Sequence, residues 1–181
     1  MQIQSQKNSM IKIVESSVTF AEFPDEISLC LNISNCPNKC PGCSQSYLAQ
    51  DIGTELTTEV LHKLIKENEG ITLVGFMGGD NDHETIYHLT KFVQNTYNLK
   101  VGMYSGRDFL DLKLASVLDY YKIGGWRKPE GDQTTWHKKS CGPLNFPFSN
   151  QVMFKRVGDN LINITDAFRK DPVNNLQRYI V

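Results

Sequence analysis

The sequence predicts an α/β protein built as a partial, laterally open parallel β/α barrel, and three observations carry this. Short apolar runs of strand length alternate with longer stretches whose apolar residues recur at helical spacing. The apolar runs read as strands buried on both faces, as a parallel sheet covered by helices requires. The chain has 181 residues, fewer than the about 250 typical of a closed eightfold barrel, so only part of one can form.

Ser28 to Ile33 reads as the first core strand, because Leu29, Leu31 and Ile33 alternate with smaller or polar neighbours. Thr57 to Glu67 is helical by pattern, with Val60, Leu61, Leu64 and Ile65 on one face and Thr57 or Thr58 available as a cap. Ile71 to Met77 follows as a buried strand. Glu84 to Tyr97 repeats the helical spacing through Ile86, Leu89, Val93 and Tyr97, and Lys100 to Tyr104 is the next strand. Asp108 to Leu118 is expected to be a further helix, and Tyr120 to Ile123 a short strand ending at Gly124-Gly125. The pattern then loosens from Trp126 to Asn150, and Gln151 to Val157 with Leu161 to Ile164 reads as a late hairpin around Gly158-Asp159.

A hydrophobic content of 40% suffices for one sizeable core at this length. A single domain over residues 1–181 is expected: a β/α core at 11–125, a loop at 126–150, and a C-terminal hairpin and tail at 151–181. Lys plus Arg total 19 and Asp plus Glu 20, so charge offers no global case for nucleic acid or an anionic membrane. The first ten residues are polar, with Gln2, Gln4, Gln6 and Asn8, and lack the apolar segment of a secretory signal. No window reaches the about 18 consecutive apolar residues of a membrane span. A cytoplasmic protein with reduced thiols is expected. The five cysteines are odd in number and three are clustered, which argues against a disulfide framework.

Those three are Cys36, Cys40 and Cys43, in the run Cys-Pro-Asn-Lys-Cys-Pro-Gly-Cys. The C-x3-C-x2-C spacing brings three thiolates together on one loop. That number suits an iron–sulfur cluster and leaves one of its four metal positions without a protein ligand. Structural metal sites are normally closed by four ligands, whereas an open position is what binds and activates something from solution. In parallel folds ligands collect at the carboxyl ends of strands, and the cysteine loop, Gly78-Gly79-Asp80 and Tyr104-Ser105-Gly106 all fall there.

With Ser149-Asn150-Gln151 near the end, these motifs span most of the chain. It resembles the radical S-adenosylmethionine enzymes, and among them the small activating proteins of anaerobic ribonucleoside-triphosphate reductases. The resemblance implies a [4Fe-4S] cluster on Cys36, Cys40 and Cys43, with its open iron chelated by the amino and carboxylate groups of S-adenosyl-L-methionine. Reductive cleavage would give methionine and a 5′-deoxyadenosyl radical, which takes hydrogen from a glycine of the reductase. The implied partners are the large reductase subunit and a low-potential electron donor of flavodoxin or ferredoxin type. The implied cofactor contacts are Gly42, Cys43 and Ser44 on the adenine side, Gly78 and Gly79 through close backbone approach, Asp80 to the methionine ammonium, and Ser105 to its carboxylate or the ribose. No side chain is assigned an acid–base role. Many members of that family have an aromatic residue before the third cysteine and a proline after the Gly-Gly-acid turn, where this chain has Gly42 and Asn81.

Plainer readings stand beside these. Three cysteines also suit a zinc site completed by His62 or Cys141, although zinc motifs commonly pair C-x2-C knuckles and only one is present. Gly78-Gly79-Asp80 can be a strand-to-helix turn with Asp80, Asn81 or Asp82 capping the helix, and Ser105-Gly106 a simple turn. His62, His83 and His88 read as surface or helix-flank residues, Cys30 as a small buried hydrophobe and Cys141 as an inert loop thiol. A radical enzyme making a deazapurine precursor, or a non-catalytic iron–sulfur or zinc module, are the alternative functions. Trp126, Arg127, Lys128, Trp136, His137, Lys138 and Lys139 interleave basic and aromatic residues, and are expected to dock protein rather than nucleic acid.

Overall fold

Strand β1 (Lys12–Thr19) opens the chain, antiparallel to β2 (Ser28–Ile33). The computed structural model describes residues 11–128, 144–145 and 149–168. Trp136, His137, Lys138, Lys139 and Cys141 lie outside the described residues. After β2 come the short strand β3 (Thr54–Glu55), helix α1 (Thr58–Glu67), β4 (Leu73–Met77), α2 (His83–Tyr97), β5 (Lys100–Tyr104), the single turn α3 (Leu112–Ala115), β6 (Tyr120–Ile123), and the pair β7 (Val152–Val157) and β8 (Asn160–Asn163).

All eight strands join one sheet in the order β3-β1-β2-β4-β5-β6-β7-β8. Its centre, β2-β4-β5-β6, is parallel, and antiparallel strands extend it on either side. Parallel neighbours need crossovers, and α1 and α2 supply two of them. Thr57 caps α1 by accepting from the Val60 amide at 3.3 Å, and Asp82 caps α2 by accepting from the Thr85 amide at 3.1 Å.

The side-chain alternation of the strands divides the core in two. Leu29, Leu31 and Ile33, Val74 and Phe76, Val101 and Met103, and Tyr121 and Ile123 face Leu61, Ile65, Ile86, Leu89 and Val93 of the helices. On the other face Phe23, from the β1–β2 loop, packs with Cys30, Leu73, Tyr120 and Met153. Gly75 and Gly102 make room for it: a Cβ at Gly75 would lie 2.5 Å from the Phe23 ring, and one at Gly102 closer still. Tyr104 and Tyr120 hold that loop down by donating to the carbonyls of Glu22 (2.5 Å) and Pro24 (2.8 Å).

The helix expected over Asp108 to Leu118 shrinks to Leu112–Ala115. Asp111 accepts from the amides of Lys113 and Leu114, both at 3.0 Å, which fixes the helix start there. The residues before it are engaged elsewhere, with Arg107 on the Asp80 carbonyl and Asp108 paired with Arg127. Among the described residues no helix is long and apolar enough to cross a membrane.

Candidate metal centre

The cysteine loop leaves the C-terminal end of β2 and is pinned at its root. The amides of Ser34, Asn35 and Cys36 donate to the carbonyls of Lys12 (3.0 Å), Gln50 (2.9 Å) and Leu48 (3.0 Å). Further on, Cys43 N–H donates to the Cys40 carbonyl at 3.1 Å, closing a turn across Pro41-Gly42. Asn35, Lys39 and Gly42 have φ of 59°, 44° and 79°. Non-glycine residues in this region are costly and persist where the surroundings over-determine them, often around ligand sites. Cys36, Cys40 and Cys43 are free thiols, each half-buried.

Asp80 is the hub beneath the loop. Its side chain is only 2% exposed. Oδ1 accepts from Ser105 Oγ at 2.6 Å and faces His83 Nε2 at 3.2 Å; Oδ2 accepts from Asn38 Nδ2 at 2.6 Å and Gly106 N–H at 2.7 Å. Burial pushes the carboxyl up, but the donors from His83, Ser105, Gly106 and Asn38 outweigh it and hold Asp80 below its ordinary value. A carboxylate offers about four acceptor positions, and all four are spoken for. His83 continues the network, with Nδ1 2.9 Å from Asp111 Oδ2. Its pKa is raised, chiefly by Asp80, against desolvation and with help from Asp111.

The other site residues expected from sequence are placed as follows. Gly78 and Gly79 form the turn after β4 with φ of 118° and 107°. A Cβ at Gly79 would meet Ile86 Cδ1 at 2.7 Å and one at Gly78 the Ile33 carbonyl oxygen at 3.2 Å, so both glycines already have a local reason. Ser105 is buried, donating to Asp80 and accepting from the Arg107 amide at 3.0 Å. Asp80 and Ser105 are thus committed to the protein's own network, where sequence assigned them ligand contacts. Gly42 and Ser44 are exposed beside Cys43.

The end of β6 closes one side. Gly125 lies so near the loop that a Cβ there would sit 3.1 Å from Cys40 Sγ and 2.9 Å from the Gly106 carbonyl oxygen. Beside it the buried indole N–H of Trp126 has no hydrogen-bond partner among the described residues, and a Cβ at Gly42 would lie 3.3 Å from that nitrogen. Lys122 on β6 is within electrostatic reach of Cys43 and Cys40. Burial raises the Cys40 pKa, the Trp126 backbone opposes this, and the charges of Cys36 and Cys43 add to it.

These features fit an iron–sulfur cluster. Three thiolates crowding one another call for cationic iron, and an orphaned indole N–H is a donor of the kind that serves cluster sulfurs. Among the described residues no three His, Cys, Asp or Glu side chains converge as ligands of a single metal ion. A cube takes its thiolates at three separate iron corners, so it asks for wider spacing. His62 is engaged with the Tyr97 hydroxyl on the α1–α2 side.

Sequence reasoning missed Asn38, His83, Arg107 and Lys122. His83, read there as a surface or helix-flank residue, is 12% exposed and bridges two carboxylates. The three-residue spacing from Asp80 to His83 was the one available signal.

A family model described as a 4Fe-4S single cluster domain matches residues 27–124, from the start of β2 to the end of β6 and more than half of the chain. No curated protein and no solved structure matches it. The matched stretch contains all three loop cysteines and the Asp80 network that braces them, and on that basis the chain belongs to the 4Fe-4S single cluster domain family.

Proposed function

We propose that this chain is a radical S-adenosylmethionine activase: it cleaves S-adenosylmethionine reductively at a [4Fe-4S] cluster and installs a glycyl radical on the large subunit of an anaerobic ribonucleoside-triphosphate reductase. The observation that carries the reading is a three-thiol loop at the carboxyl end of a parallel strand, braced through Asn38 and Asp80 to the Gly78-Gly79 turn of the next one. Three ligands for a four-iron cube leave one iron to bind a chelating ligand. Helices on one face of a four-strand parallel centre, with the cysteines at its rim, support reading the sheet as a partial barrel.

When bound, a [4Fe-4S] cluster would supply one electron, drawn from a flavodoxin- or ferredoxin-type donor, to a chelated sulfonium. Cys36, Cys40 and Cys43 would hold its iron. Asp80 acts through others: it fixes Asn38 in the cysteine loop, Ser105 and Gly106 after β5, and His83 at the start of α2. Direct contacts then fall to exposed Gly42 and Ser44 and to backbone groups of the Gly78-Gly79 turn. Phe23 fills the lower part of the non-helical face, leaving the rim beside the cysteines for a substrate.

Anaerobic reconstitution with iron and sulfide, then addition of dithionite and S-adenosylmethionine, tests the first half. Methionine and 5′-deoxyadenosine should form; a reconstituted, reducible cluster that yields neither ends the proposal. Adding the reductase should produce a glycyl radical by electron paramagnetic resonance. Cleavage without that radical, with a competent reductase, removes the activase assignment and leaves the small-molecule alternative.

A further inference from the structure

Four residues line up across the parallel strands on the face away from the helices. Asn32 is paired with Met77, Met77 with Tyr104, and Tyr104 with Lys122, each near the carboxyl end of its strand. This row lies beside the cysteine loop. Lys122 is its only cation. The ammonium lies over the Tyr104 ring, 4.5 Å from the centroid, and that ring is fixed by its hydroxyl's bond to the Glu22 carbonyl.

The ammonium makes no hydrogen bond or ion pair with any described residue. The negative groups it senses are Glu22, Cys43 and Cys40. Lys122 is half-buried, so its ammonium is partly withdrawn from water without an ion-pair partner among the described residues, which is unfavourable, and cation–π contact with Tyr104 offsets only part of that. A cluster on three thiolates is anionic and gains a further negative charge on reduction, so it would supply the missing counter-charge, and more of it when reduced.

We propose that Lys122 is an electrostatic positioning residue that favours the reduced state of the cluster and so sets its potential. The inference rests on the cluster and not on cleavage of S-adenosylmethionine. One electron enters from a low-potential reductant; no bond is made or broken at Lys122, which keeps its proton. Net charge near a cluster is among the factors that set its potential.

The test is an anaerobic reductive titration of the reconstituted full chain without S-adenosylmethionine, followed by electron paramagnetic resonance, so its outcome is independent of the activase reading. K122M should lower the reduced-to-oxidised ratio at a set potential about tenfold, equivalent to about 59 mV for a one-electron couple. K122R should stay near the parent value. An unchanged potential in K122M, or an equal fall in K122R, overturns the proposal, even if ligand binding is lost. Should K122M fail to take up iron, K122Q decides: its potential should fall as stated for K122M, and an unchanged or higher value overturns the inference.

Discussion

Asn38 donates its side-chain amide to Asp80 Oδ2 at 2.6 Å, joining the middle of the cysteine loop to the turn after β4. The same nitrogen lies 3.8 Å from Cys36 Sγ. Gly106 permits this, since a Cβ there would collide with the Asn38 side chain. The loop that carries the thiols is therefore braced by a buried carboxylate 42 residues further along the chain.

Asp80→Asn should break that brace. One carboxylate oxygen becomes an amide donor facing other donors, and hydrogen bonds to a buried charge are worth about 1.5–3 kcal/mol each. A loss of about 2–4 kcal/mol is expected in urea unfolding of the metal-free chain, together with weaker iron retention. Asn38→Ala should weaken iron retention with a smaller loss of stability. Full stability and iron content in Asp80→Asn would refute the hub.

The His83 couple gives a pH dependence of definite sign. His83 is raised above its ordinary 6.5, so its contribution is complete below about pH 6.5 and fades as pH rises through the folded-state value. Asp80 is lowered below 3.8, so its contribution is present above about pH 3.8 and fades only as pH falls through its folded-state value. Urea midpoints of the metal-free chain should therefore fall between pH 6 and pH 8, and less steeply in His83→Gln. Parallel pH profiles for the two proteins would show that His83 is not the titrating group.

Legibility in the sequence followed how local each cause was. β2, β4, β5, α1 and α2 were readable because each carries its own periodicity, with the caps Thr57 and Asp82 among the candidates the sequence offered. β1 was not: Glu15, Ser16 and Ser17 give it an exposed, polar middle, and its pairing with β2 and β3 makes it a strand. The α3 region has helical spacing throughout, yet Arg107 and Asp108 are drawn off by partners distant in sequence. The cysteines were legible as a group, whereas the commitment of Asp80 to Asn38, Ser105 and Gly106 exists only once three rim loops meet.

Phe23 and Gly102 test the non-helical face. Gly102→Ala puts a methyl group into the Phe23 ring, and overpacking of this kind costs about 1–3 kcal/mol. Phe23→Leu should cost stability alone but relieve part of the clash when combined, so the double mutant should be more stable than the sum of the singles predicts. Thermal melts of the four proteins measure this. Strict additivity would mean that ring and glycine do not touch.

The cysteines divide by burial and by neighbours, which gives a prediction for each. Cys30 is buried against Phe23 and Leu73, and desolvation, aided by Glu22, pushes its pKa up to about 12, so it stays a thiol at neutral pH. Cys36, Cys40 and Cys43 share one braced loop. Replacing any of these three by alanine should remove most reconstituted iron and sulfide, with little effect on the metal-free core. Cys30→Ser should do the reverse, keeping the iron content while burying a hydroxyl at a cost of about 1–3 kcal/mol. Iron and sulfide analysis beside urea unfolding separates the two groups. Loss of iron in Cys30→Ser without loss of stability, or its retention in any loop variant, would contradict the assignment of the cluster to the C-x3-C-x2-C loop.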